Sequence, residues 1–124
     1  VIVRQLGELE AEIMYRLWAW GRPATARDVL TDINKQRPVA YSTVKTVADI
    51  LYRKGMLERH KEGRAWVYTP TCTRQQYTAS LMQDALGGNP DPAGTLTSFL
   101  EQMTPEEADA LRSALRAVKR RSDT

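Results

Sequence analysis

Residues that usually carry chemistry are scarce in this chain of 124 amino acids, which has one cysteine, Cys72, and one histidine, His60. A lone cysteine closes no internal disulfide, which fits a reducing compartment and makes the cytoplasm the expected location. His60 stands among charged residues of a predicted strand, and Cys72 has no second histidine to pair with, so a nucleophilic dyad has little to draw on. No glycine-rich phosphate loop and no metal-ligand spacing occurs, and neither a cofactor nor catalysis is expected. No apolar run reaches the ~18 residues of a membrane helix, so no membrane insertion is expected. The opening, VIVRQLGELE, is too short in apolar residues for a secretory signal, and since it starts without Met a few residues are expected to precede it. What is present is 42% hydrophobic and 27% charged, an ordinary soluble composition that argues against disorder.

Charge is modest in sum, +3, but unevenly spread. Residues 1 to 70 hold 12 Lys/Arg against 8 Asp/Glu, whereas residues 71 to 124 hold 6 against 7. The basic excess lies in the first part and invites an anionic partner, although a few lysines that merely keep a surface soluble would produce the same balance.

Apolar periodicity predicts a helix from Gly7 to Trp20, with Leu9, Ile13, Leu17 and Trp20 at spacings of three and four, stopped by Gly21-Arg22-Pro23. Thr25-Ala-Arg-Asp28 reads as a capping box opening a second helix that buries Val29, Leu30 and Ile33. A third begins near Ala40 or Tyr41, with Val44, Val47, Ala48 and Leu51 on one side and Gly55 at its end. Leu57–Lys61 and Ala65–Thr69 alternate as two strands around Glu62-Gly63-Arg64, a hairpin loop. Thr73-Arg-Gln-Gln76 is again a capping box, leading into the stripe Tyr77, Leu81, Met82 and Leu86. GGNPDP breaks the chain, Ala93–Met103 is a short helix, and Thr104-Pro105-Glu106-Glu107 starts the last one.

The expected fold is therefore mostly α with a small antiparallel β-hairpin, and three helices then a hairpin is the order of a winged helix-turn-helix. The expected domains are 1–71, a DNA-binding winged helix, and 72–124, a helical dimerisation region. Leu81, Met82, Leu86, Leu96, Phe99, Leu100, Leu111 and Leu115 are more apolar surface than short helices can hide among themselves, and a symmetric dimer is the common way to cover it.

In a helix-turn-helix the second helix of the motif enters the major groove and its N-terminal residues meet base edges. Ser42, Thr43 and Thr46 are short hydroxyls able to approach bases or phosphates, and Lys45 can reach a phosphate or a guanine edge. Arg53 and Lys54, at the far end of the helix, and Lys61 and Arg64, on the hairpin, are placed for phosphate. Each has a plainer role: Ser and Thr early in a helix cap it, and cations at its end complement the dipole. Their joint placement on one face beside a basic hairpin favours duplex DNA as the partner. Asp49 on that face would repel phosphate, and an ion pair to Lys45 or Arg53 is its expected use.

With LGELEAEIMYRLW, AYSTVKTVADILYRKG and GRAWVYTP in view, the chain resembles the penicillinase and methicillin-resistance repressors of the BlaI/MecI type over nearly its whole length. The resemblance implies a homodimeric winged-helix repressor on a palindromic operator. Thr43, Lys45 and Thr46 match the core of that family's recognition helix, Leu51 and Lys54-Gly55 its close, and Gly63-Arg64 with Tyr68 its wing. The chain departs at Ile50, where an arginine is usual, and at Asp49, where an uncharged polar residue is common, which implies a different operator. In some members a membrane-bound sensor-protease answering β-lactams cuts the repressor before a Phe. Ser98-Phe99 is the matching pair, although Asn precedes that Phe in cleaved staphylococcal members. Copper-responsive relatives carry a C-terminal cysteine cluster that this chain lacks.

Two other uses fit the same elements. A direct effector sensor would line a pocket with Trp18, Trp20, Trp66 and Tyr77, although aromatics at helical spacing are more often core. A winged helix used only to bind protein would show no affinity for duplex DNA.

Overall fold

Residues 6–122 are described by the computed structural model; residues 1–5 and 123–124, which belong to the two expected domains, lie outside them. The elements run α1 (Glu8–Trp20), β1 (Ala24–Thr25), α2 (Ala26–Ile33), α3 (Tyr41–Arg53), β2 (Leu57–Glu62), β3 (Ala65–Pro70), α4 (Arg74–Leu86), α5 (Pro92–Glu101) and α6 (Pro105–Ser122). Among the described residues, no helix is long and apolar enough to cross a membrane.

Local chemistry sets most of these limits. Gly21 ends α1 in the left-handed conformation, φ 65°, which a side chain would resist. The Thr25 hydroxyl accepts from the Asp28 amide at 3.1 Å while the Asp28 carboxylate accepts from the Thr25 amide at 3.0 Å, completing the expected box. Thr73 and Gln76 exchange the same pair of bonds ahead of α4, and Thr104 and Glu107 do so ahead of α6. Gly63, φ 64°, takes the first position of a two-residue hairpin loop, because Glu62 already pairs with Ala65.

The sheet holds one strand more than expected. Its order is β1-β3-β2, all antiparallel, with Ala24 opposite Tyr68 and Thr25 opposite Val67. Two residues are too few to show a period, so β1 is invisible until β3 presents it with a free edge. The core lies beneath this sheet. Ile13, Met14 and Leu17 of α1 meet Val29, Leu30 and Ile33 of α2, Val44, Ala48 and Leu51 of α3, and Leu57 and Tyr68 of the sheet. The expected apolar faces of α2 and α3 are thus the buried ones, with Val47 only half-buried at the margin.

The chain divides into two compact units, Val1–Asp84 and Ala85–Thr124, so most of α4 shares a unit with the winged helix. The reason is local. Tyr77 is buried, its ring 5.6 Å from that of Trp18, and the Trp18 indole donates to the Cys72 carbonyl at 2.8 Å. The second unit contains α5 and α6, neither of which has a buried residue.

Candidate nucleic-acid interface

The outer face of α3 forms because its apolar residues are used up on the inner one. Val44, Ala48 and Leu51 go into the core, leaving Ser42, Thr43, Lys45 and Thr46 exposed on the first two turns. Ala40 occupies the cap position and has no side chain to cap with, and no capping bond is made there by a side chain. Ser42 and Thr43 are therefore not caps, and their hydroxyls are open to an incoming ligand.

The wing stands beside this face. Lys45 and Thr46 line a groove of about 280 Å³ together with Asp49, Arg59 and Trp66. Lys45 also lines an adjoining groove of about 200 Å³ with Arg27, Tyr41 and Arg64. Of the expected contacts, the structure thus brings Lys45, Thr46 and Arg64 together around two shallow grooves. Lys61 lies over the Trp66 ring, 5.0 Å from its centroid, and stays exposed on the wing. Ile50, where an arginine would add a charge, is exposed and apolar.

The far end of α3 is organised differently. Lys54, expected at phosphate, donates to Glu10 of α1 at 2.8 Å and so ties the end of α3 to the first helix. Burial works to raise the Glu10 carboxyl, but the hydrogen bonds from Lys54 and the Gly7 amide, with the Lys54 charge, outweigh it and leave the group below its ordinary value. Arg53 pairs with Asp49 at 2.8 Å, the i,i+4 ion pair expected for that carboxylate. The second Asp49 oxygen is taken by Arg59 of β2 at 2.9 Å.

Arg59 gives little sign of itself in the sequence, where it is one charge among several in LERHKE. Its guanidinium lies over Tyr52 at 3.9 Å and over Trp66 at 4.2 Å, so it is held between α3 and the wing. The one hint is alternation: Arg59 pairs across the ladder with Tyr68 and Lys61 with Trp66, which puts all four on one face of the sheet. Burial pushes the Tyr68 hydroxyl up, with the Arg59 guanidinium opposing the shift. Arg27 is likewise a cation without a sequence cue; it rests on the Tyr41 ring at 4.4 Å.

The aromatics proposed for an effector pocket do not share one cavity among the described residues. Trp18 lines open grooves beside α4 of about 480 and 570 Å³, Trp66 faces α3, and Trp20 is covered by Arg22. His60 sits on the exposed wing, 3.2 Å from Glu62. Of the expected dimer residues, Met82, Leu96, Phe99, Leu100 and Leu115 are exposed in the single chain, and Leu81, Leu86 and Leu111 are half-buried. Ser98 and Phe99 lie within helix α5, both exposed.

Comparison with known proteins agrees with this architecture. The penicillinase repressor family model matches residues 6–117. The transcriptional regulator BlaI of Mycobacterium tuberculosis is 38% identical over 114 residues, covering 90% of this chain and 83% of that protein. The penicillinase repressor of Bacillus licheniformis is 32% identical over 96% of this chain and 95% of its own. Among solved structures, the B. licheniformis BlaI monomeric form in complex with the blaP half-operator aligns with a TM-score of 0.50 at 31% identity, over 60% of this chain and 90% of that one. The DNA-binding domain of the repressor BlaI aligns with a TM-score of 0.51 at 30% identity, with the same coverage. The winged helix with its exposed α3 face, matched across nearly the whole chain, places this protein in the penicillinase repressor family.

Proposed function

We infer that this protein is a DNA-binding transcriptional repressor of the BlaI type, reading duplex DNA through α3 and the wing. The observation that carries this is the open Lys45–Thr46 face beside Arg64, in a chain whose relative of known structure was solved on a half-operator. Ser42, Thr43 and Thr46 supply hydroxyls to base edges or phosphates, Lys45 reaches a guanine edge or phosphate, and Lys61 and Arg64 hold the backbone from the wing. Catalysis plays no part in this reading.

The finer reading is a homodimer on a palindromic operator. Its support is the apolar surface of α5 and α6, where Leu96, Phe99, Leu100 and Leu115 are exposed, a cost that a second copy would remove. Two half-sites about one helical turn apart, ~34–36 Å or a multiple, are required by such a dimer. Operator binding would put its site of action in the cytoplasm. Inactivation by a membrane-bound sensor-protease at Ser98-Phe99 extends the reading further. Both residues are helical, so cutting there requires α5 to open locally, and it would release the operator by dismantling the dimer.

The test is fluorescence anisotropy with the upstream region of the protein's own gene, at two salt concentrations and with random DNA as competitor. Tight, competitor-resistant and salt-sensitive binding is expected, with a dimer mass by light scattering. Binding that random DNA abolishes would overturn sequence-specific repression, and a monomer at micromolar concentration would overturn the dimer.

A further inference from the structure

Asp49 places a carboxylate on the outer face of the recognition helix, where negative charge opposes DNA. Its two oxygens are separately engaged: Oδ1 accepts a hydrogen bond from Arg59 at 2.9 Å, and Oδ2 forms an ion pair with Arg53 at 2.8 Å. The two arginines are not equivalent. Arg59 is one-fifth exposed and clamped between the Tyr52 and Trp66 rings, so it cannot leave without losing two cation–π contacts. The Arg53 side chain is three-quarters exposed, so of the two it is the one a phosphate can approach, and only with the Asp49 carboxylate beside it.

We propose that Asp49 is a positioning residue that sets the specificity of DNA binding by neutralising Arg53 on the helix, withholding one cation from non-specific phosphate contact, while its bond to Arg59 fixes the recognition helix against the wing. A phosphate seeking Arg53 must approach a carboxylate at the same time, which disfavours contacts that only charge would drive. A base edge carries no net charge and meets no such opposition. The pair therefore weakens the sequence-independent part of binding more than the sequence-dependent part. The anchor through Arg59 holds the Asp49 carboxylate in place whether or not Arg53 stays.

This inference rests on the DNA-binding reading, and the experiment separates the two. Binding of the full chain to random and to own-promoter duplex is measured by anisotropy across a salt series for wild type, Asp49→Asn, Arg53→Gln and the double variant. Asp49→Asn should tighten random-DNA binding several-fold and steepen its log–log salt slope by about 0.9, one extra phosphate contact. The specific-to-random ratio should fall. In the Arg53→Gln background the same substitution should leave the slope unchanged, because the cation it would release is absent. An equal slope change in both backgrounds would mean general charge repulsion and overturn the proposal. Loss of promoter binding with random binding unchanged would make Asp49 a base reader and overturn it too. If Asp49→Asn lowers the melting temperature by several degrees, Arg53→Gln alone still decides: it should change the random-DNA slope little in wild type, since Arg53 is already neutralised there, and a loss of about 0.9 would refute the withholding role. Wild type that binds no duplex would end the DNA-binding reading and this inference with it.

Discussion

The two compact units are built from similar helices and end very differently. Residues 1–84 bury a core in which Met14, Val44 and Leu51 are wholly out of solvent, whereas α5 and α6 bury nothing. Both carry apolar stripes and well-made caps. The difference is that α1, α2, α3 and a sheet enclose one another, while two helices have only one face each to offer. Good local helix signals therefore do not make a self-sufficient fold; enclosure does.

The largest way to break this comparison is to make the second unit as polar as it is exposed. Leu96→Glu with Phe99→Glu should give a monomer by light scattering and cost operator affinity ~10²–10⁴-fold, the avidity of two linked half-sites, while the first unit melts as before. A retained dimer would put the dimer surface elsewhere. Next, Leu51→Ala should cost about 2–5 kcal/mol in denaturant unfolding of the first unit, since it opens a cavity beneath the recognition helix. A cost below ~1 kcal/mol would mean the core is not what holds α3. Thr46→Ala should lose about 1–3 kcal/mol of discrimination between own-promoter and random DNA, and equal losses on both would remove Thr46 from base contact.

A paired substitution sharpens the contrast. Thr25→Ala and Thr104→Ala remove the same cap, so each should cost about 1 kcal/mol. The first should appear in unfolding of the winged helix, and the second in the concentration dependence that the proposed dimer gives to melting. The smallest effect is with pH. The hydrogen bond from Arg16 to Asp32, together with the Arg16 charge, holds that carboxyl below its ordinary value against the opposing effect of burial, and Glu10 also lies low. Groups with depressed folded values stabilise fully above their ordinary values, about pH 4, and lose that stabilisation as pH falls through the folded ones. The melting temperature of the first unit should therefore drop below about pH 4, and Asp32→Asn should flatten the drop.

Much of this was legible in the residues. Capping boxes at Thr25, Thr73 and Thr104, the glycines that end α1 and turn the hairpin at Gly21 and Gly63, and the apolar face of α3 all act over a few residues, so spacing reveals them. The Asp49–Arg53 pair was legible for the same reason, being four residues apart on one helix. The strand β1 was not, nor was the placement of α4 with the winged helix. Each depends on partners far along the chain, Tyr68 for Ala24 and Trp18 for Tyr77. The pairing of Lys54 with Glu10, forty-four residues away, was not legible either.

The sequence by itself determined the helices, the hairpin, the buried faces and the family, because period, caps and motif are written in local order. Only the tertiary structure decided which cations are paired within the chain and which are not. Lys45 and Arg64 are left open, Lys54 is spent on α1, Arg53 is shared with Asp49, and Arg59 is locked between two rings. Charge is a property of a residue, but its availability depends on which opposite charges and aromatic faces the fold brings within about 4 Å, where pair interactions become strong enough to compete with water.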